Sequence, residues 1–114
     1  MIYQLHNFVF NTQQRTLSKG GLTLLLTPKT YKLMLLFIEA NGQVVSKAEI
    51  RSRVWCGQVV CETTLYKVVQ RLRTIFGDDG EEQAVIKTIH GEGYLMVAKT
   101  KRLGFFGQLL KKLA

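Results

Sequence analysis

Between Glu62 and Phe76, ended by Gly77, the chain reads as one amphipathic helix whose two sides carry opposite chemistry. Leu65, Val68, Val69, Leu72 and Phe76 recur at i, i+3, i+4, i+7 and i+11, a spacing that stacks them on one face. Lys67, Gln70, Arg71 and Thr74 share the other side, with Tyr66 and Arg73 at its margins. The apolar face requires a core built by the rest of the chain. The cationic face suits either solvent or a polyanion.

With 114 residues, 46% of them hydrophobic, the chain is the size of one domain and can bury a core without disulfide or metal staples. Sixteen Lys and Arg against eight Asp and Glu give a net charge of +8, which favours phosphate backbones or anionic membrane surfaces as partners. The acids are clustered: Asp78, Asp79, Glu81 and Glu82 crowd together, so the remainder is more basic still, and the cluster is expected to face away from a polyanion. No run of 18 apolar residues and no secretory leader pattern is present, so the chain reads as soluble and cytoplasmic, or as lying at the cytoplasmic face of a membrane if it continues beyond Ala114. Cys56 and Cys61, with only the distant His6 and His90 as further soft ligands, do not make a zinc pattern, and no metal or cofactor is expected. Two reduced loop or packing cysteines are the expectation, with a redox pair as the less favoured reading.

Along the chain, Phe8–Phe10, Arg15–Ser18 and Leu22–Leu26 are strand-like and separated by the polar turns Asn11–Gln14 and Lys19–Gly21, which predicts a small antiparallel meander. Thr27-Pro28 begins a helix, Thr27 as its cap and Pro28 at its first position. Tyr31, Met34, Leu35 and Ile38 mark its apolar stripe, Met34 and Phe37 are assigned to the core, and Asn41-Gly42 closes it. After the short bridging strand Gln43–Val45, Ser46 and Glu49 form a capping box for a second helix that carries Ile50, Val54 and Trp55 inward, with Lys47, Arg51 and Arg53 outside. Cys56 to Glu62 is a loop. Beyond Gly77, Val85–Ile89 and Tyr94–Val97 are β-prone runs joined by His90-Gly-Glu-Gly93, which predicts a hairpin.

Two short helices, a loop, a basic amphipathic helix and a following hairpin make a helix-turn-helix with a wing. A major groove about 12 Å wide accepts one helix, and a hairpin beside it can rest on the adjacent backbone or minor groove and fix the register. Phe8-Val-Phe-Asn11, Arg15-Thr-Leu17, Leu26-Thr-Pro28, Gly42, Val54-Trp55, Leu72-Arg73 and Ile86-Lys-Thr-Ile-His-Gly-Glu-Gly-Tyr94 follow one another in order from about residue 3 to 98. In these segments the chain resembles the OmpR/PhoB-type winged-helix domain of bacterial transcription regulators. The resemblance implies an α+β fold: an N-terminal antiparallel sheet of four strands, three helices and a C-terminal hairpin wing over residues 1–98, with 99–114 as a basic amphipathic tail. With no receiver domain in front, it points to the ToxR/CadC-like branch or a stand-alone regulator.

The same resemblance implies sequence-specific binding of double-stranded DNA, with dimerisation on tandem half-sites. Arg71 matches the family's base-contacting arginine, Tyr66 and Lys67 match outward positions one turn earlier that also approach bases, and Thr63 and Thr64 match phosphate-side positions. Gln70 and Thr74 share that polar face by spacing, and Lys87, Thr88 and His90 belong to the wing. Arg73 flanks the apolar stripe and either contacts phosphate or snorkels. The chain departs from the family at His90 and Glu92, where an arginine and a neutral residue are usual, and a histidine tip implies modest, pH-sensitive affinity. Thr30 replaces a frequent glutamate.

The Cys56–Glu62 loop matches the family segment that contacts RNA polymerase or another regulator; a plain surface loop is the alternative. Lys101 to Ala114 places Leu103, Phe106, Leu110 and Leu113 in helical register. It is too short to span a bilayer. Packing on the domain or on a partner is expected, over lying on an anionic membrane or serving as a linker. The sequence offers no paired carboxylates, phosphate loop or activated nucleophile, so neither enzymatic activity nor a small-molecule substrate is expected. The alternative function is a winged-helix module that pairs with another regulator without reading DNA.

Overall fold

The structure is a computed structural model that describes residues 1–78 and 82–104. In chain order its elements are β1 (Ile2–Leu5), β2 (Phe8–Asn11), β3 (Thr16–Lys19), β4 (Leu22–Leu25), α1 (Pro28–Ala40), β5 (Val45–Ser46), α2 (Lys47–Val54), α3 (Glu62–Phe76), β6 (Ile86–Ile89), β7 (Gly93–Met96) and β8 (Thr100–Leu103). Two units are distinct: Met1–Leu26 with the described residues from Lys99 onward, and Thr27–Ala98.

The first unit is an antiparallel sheet in the order β4-β3-β2-β1-β8. Its meander follows the sequence signals. Asn11 Oδ1 accepts from the backbone N–H groups of Gln13 and Gln14, both at 3.0 Å, the local bond that makes asparagine a turn former. Leu5, Phe10 and Leu17 are buried, and the rings of Tyr3 and Phe10 stack across the β1–β2 pair at 6.4 Å. The sheet has a fifth strand where four were expected. Thr100–Leu103 pairs with β1, Leu5 opposite Thr100 and Ile2 opposite Leu103, so helical register does not begin at Leu103. Phe106, Leu110 and Leu113, on which that expectation also rested, lie outside the described residues.

The second unit holds the three helices and the sheet β5-β7-β6. Thr27 caps α1: its hydroxyl oxygen accepts from the Thr30 N–H at 3.4 Å and donates to the Thr30 hydroxyl at 2.8 Å. Thr30, in the position of the family's glutamate, is therefore buried with its polar atom satisfied. The buried face of α1 is Thr30, Leu33, Met34, Leu36 and Phe37, one residue back from the expected stripe. Tyr31, Leu35 and Ile38 are half-buried at its margins. Both stripes are apolar except at Thr30, so periodicity alone favours the wrong one. Asn41 ends the helix in the left-handed conformation at φ 48°.

Ser46 caps α2, accepting from the Glu49 N–H at 3.0 Å, and Ile50, Val54 and Trp55 are buried as expected. α3 buries Leu65, Val69, Leu72 and Phe76 against this core and stops at Gly77, φ 69°. Just after it, Asp78 starts the hairpin: its carboxylate accepts from Ala84 N–H at 2.7 Å, Val85 N–H at 3.0 Å and Ile86 N–H at 2.9 Å. Three otherwise orphaned donors are thereby satisfied. Asp79 and Glu81, of the same acidic cluster, are outside the described residues. β6 and β7 pair from Ile86–Met96 to Ile89–Gly93, and β5 joins β7 through Val45–Tyr94 and Ser46–Gly93. Among the described residues no helix is long and apolar enough to cross a membrane.

Candidate nucleic-acid interface

The polar side of α3 is open. Tyr66, Lys67, Arg71 and Thr74 are exposed, Tyr66 by 45%, and Thr63 and Thr64 are exposed in the first turn. The salt bridges among the described residues, Lys47–Glu62 and Arg53–Glu39, include neither Lys67 nor Arg71. Glu62 is the one acid within α3, and its carboxyl is held below the ordinary range by its hydrogen bond and charge interaction with Lys47 of α2. That pair neutralises the acid at the helix start, so the outward side keeps an uncompensated positive charge.

Lys67 and Arg71 also share a groove of about 370 Å³ with Thr27, Lys29 and Thr30 of the α1 start. Lys29 was absent from the residues expected at the interface. Its ammonium sits 5.8 Å from the centroid of the Trp55 ring, a cation–π distance that holds it beside the groove. No sequence signal marks it, because it meets α3 only in the folded chain.

Gln70 is half-buried. Arg73, expected either to contact phosphate or to snorkel, is instead buried, 2% exposed, with its guanidinium turned inward. Its guanidinium donates from Nε and Nη2 to the Ile86 carbonyl at 3.1 and 3.0 Å, from Nη2 to Thr88 Oγ1 at 2.8 Å, and from Nη1 to Gln70 Oε1 at 2.9 Å. It also lies 5.9 Å from the centroid of Tyr94, whose hydroxyl burial pushes above its ordinary pKa. Arg73 thus ties α3 to the hairpin. Thr88 is half-buried with its oxygen engaged by Arg73, so on this strand Lys87 is the exposed side chain. The tip is held by the Glu92 N–H donating to the Ile89 carbonyl at 3.0 Å, with His90, Gly91 and Glu92 exposed.

At the other end of α3, Cys61 occupies the cap position without a side-chain cap bond. Its sulfur lies 3.2 Å from Thr64 Oγ1, and that hydrogen bond holds its thiol below the usual range. Cys56 and Cys61 are both free and exposed.

The arrangement is a basic helix joined through a buried arginine to a two-stranded wing, both in one unit. The sequence profile of the family described as "transcriptional regulatory protein, C terminal" matches residues 21–96. The chain belongs to this family. As a transcriptional regulatory protein C-terminal domain it is 35% identical over 69 residues to the transcriptional regulator HilA of Salmonella typhimurium, across 60% of this chain and 12% of HilA. It is 28% identical to the DNA-binding domain of CpxR from Escherichia coli, with a TM-score of 0.69 over 84% of this chain and 95% of that one. The DNA-binding domain of Escherichia coli CadC shares the fold with a TM-score of 0.76 at 19% identity, over 90% of this chain and 96% of that one. The chain spans less than half the length of the curated relatives it matches. The winged helix-turn-helix expected from the sequence is the fold of this family member, and the family is one of transcription regulators rather than enzymes.

Proposed function

We propose that this chain is the sequence-specific, double-stranded-DNA-binding part of a transcription regulator, with α3 in the major groove and the β6–β7 wing on the adjacent backbone or minor groove. The observation that carries this reading is the outward side of α3. Lys67 and Arg71 stand exposed, outside any salt bridge among the described residues, while Leu65, Val69, Leu72 and Phe76 on the opposite side of the same helix are buried. The similarity to the DNA-binding domain of CpxR supports it. Arg71 is the base reader, since a guanidinium can bond guanine O6 and N7 together. Lys67, Lys29, Lys87 and the threonines of the first turn are phosphate contacts, which set register without reading sequence. His90 adds a contact at the wing tip. The loop from Cys56 to Cys61, with Val59 fully exposed, is the surface offered to polymerase or another regulator, and two copies dimerise on DNA.

Duplexes selected from a random pool at fixed salt provide the test. Arg71→Ala is expected to lose discrimination of about tenfold or more at one base step. Lys67→Ala is expected to weaken all duplexes alike and to lower the log–log salt slope by about 1. An Arg71→Ala protein that keeps the full site preference contradicts the assignment. A wild-type chain that shows no salt-sensitive retardation of any duplex favours a protein-pairing module instead.

A further inference from the structure

A side-chain amide has a donor end and an acceptor end, and the end that faces outward decides which bases it can read. At Gln70 the choice is made by its neighbour. Gln70 Oε1 accepts from Arg73 Nη1 at 2.9 Å, and a guanidinium has donors only, so the flipped amide would set N–H against N–H. Arg73 cannot swing away to release it. It is buried, with its Nε and both Nη2 donors committed to the Ile86 carbonyl and Thr88 Oγ1. The Thr74 hydroxyl, one turn on, donates to the Gln70 carbonyl at 2.9 Å, so this turn of α3 is fixed on both the backbone and the side-chain side.

Glutamine reads adenine by accepting from N6 while donating to N7, and both atoms must face the base. Here the oxygen is already engaged by a cation, and a second donor brought to it, adenine N6–H or cytosine N4–H, would meet that positive charge. The two amide hydrogens on Nε2 remain. They match major-groove acceptors with no competing donor, which are guanine O6 and N7 and thymine O4. We propose that Gln70 is a donor-only reader, its amide oriented by the buried Arg73, and that the base it faces in the major groove is guanine or thymine. This rests on the DNA-binding reading above and adds to it a specificity-determining residue with a stated base class.

The test is selection of duplexes from one random pool by the wild-type chain, Gln70→Ala and Gln70→Glu, with melting temperatures recorded for each. Wild type and Gln70→Ala are expected to differ at one base step, where wild type prefers guanine or thymine by about fivefold or more and the variant shows no preference. Gln70→Glu still accepts from Arg73 but presents a carboxylate oxygen in place of the N–H groups, so its preference at that step moves to cytosine. Should the alanine variant melt early, Gln70→Met, which keeps the side-chain length, takes its place. Adenine or cytosine preferred by wild type at that step overturns the proposal. So does an unchanged preference in Gln70→Ala or in Gln70→Glu. A wild-type chain that selects no sequence at all refutes DNA reading itself, an outcome distinct from a selected site that Gln70 does not influence.

Discussion

Replacing Gly93 by alanine is expected to lower the free energy of unfolding by about 3 kcal/mol or more, read as a fall in the urea midpoint at unchanged slope. A Cβ built on Gly93 meets the Val45 carbonyl oxygen at 2.0 Å and Ser46 Cα at 2.9 Å. Both neighbours are backbone, and both belong to β5, which pairs with β7 through Ser46–Gly93. No rotamer change can relieve such an overlap, so β5 must separate from β7 or the hairpin must shift. Ser46 also caps α2, so the disturbance reaches the second helix. Gly91 provides the comparison. It has φ 75° but nothing within 4 Å of a built Cβ, so alanine there meets only left-handed strain, about 1 kcal/mol. Equal losses at the two glycines would show that dihedral strain, and not the β5–β7 approach, decides the effect.

Arg73→Ala is expected to cost about 3 kcal/mol. The substitution removes donors from the buried Ile86 carbonyl, from Thr88 Oγ1 and from Gln70 Oε1, and it leaves a cavity beside Tyr94. Arg73→Met restores volume without donors and should recover only part of the loss. The methionine variant also separates structure from DNA contact. If Arg73 touches no phosphate, its log–log salt slope stays at the wild-type value even as affinity falls with a loosened wing, whereas a phosphate-contacting cation lowers the slope by about 1 when removed. A reduced slope in Arg73→Met would mean that the guanidinium leaves its buried site on binding.

Arg73 also shows where sequence reasoning stops. Its spacing places it beside Leu72 and four residues past Val69, on the buried side, yet buried charge is so rare that an arginine there reads as a margin residue. What buries it is a carbonyl 13 residues on, a non-local partner that periodicity cannot show. The span of α3 was legible, because a continuous stripe and a terminal glycine both mark it. The wing was legible from two β-prone runs around His90-Gly-Glu-Gly93. The buried face of α1 was misread by one residue because apolar side chains surround most of that helix. β8 was missed because Thr100–Leu103 contains two exposed cations and no alternation, and its pairing with β1 joins the two ends of the described chain. On the exposed side of α3, Tyr66, Lys67, Arg71 and Thr74 were readable from spacing alone. Lys29 was not, because only the packing of α1 on α3 brings it beside Lys67 and Arg71.

The claim at the centre is that α3 lies in a major groove with Arg71 outward. Methylation interference on a selected duplex tests it directly, because guanine is methylated at N7 in the major groove and adenine at N3 in the minor groove. N7-methylated guanines within the site are expected to be excluded from the bound fraction, and Arg71→Ala to relieve the exclusion at one of them. Bound duplexes that tolerate N7 methylation throughout, with interference confined to adenine N3, would contradict it.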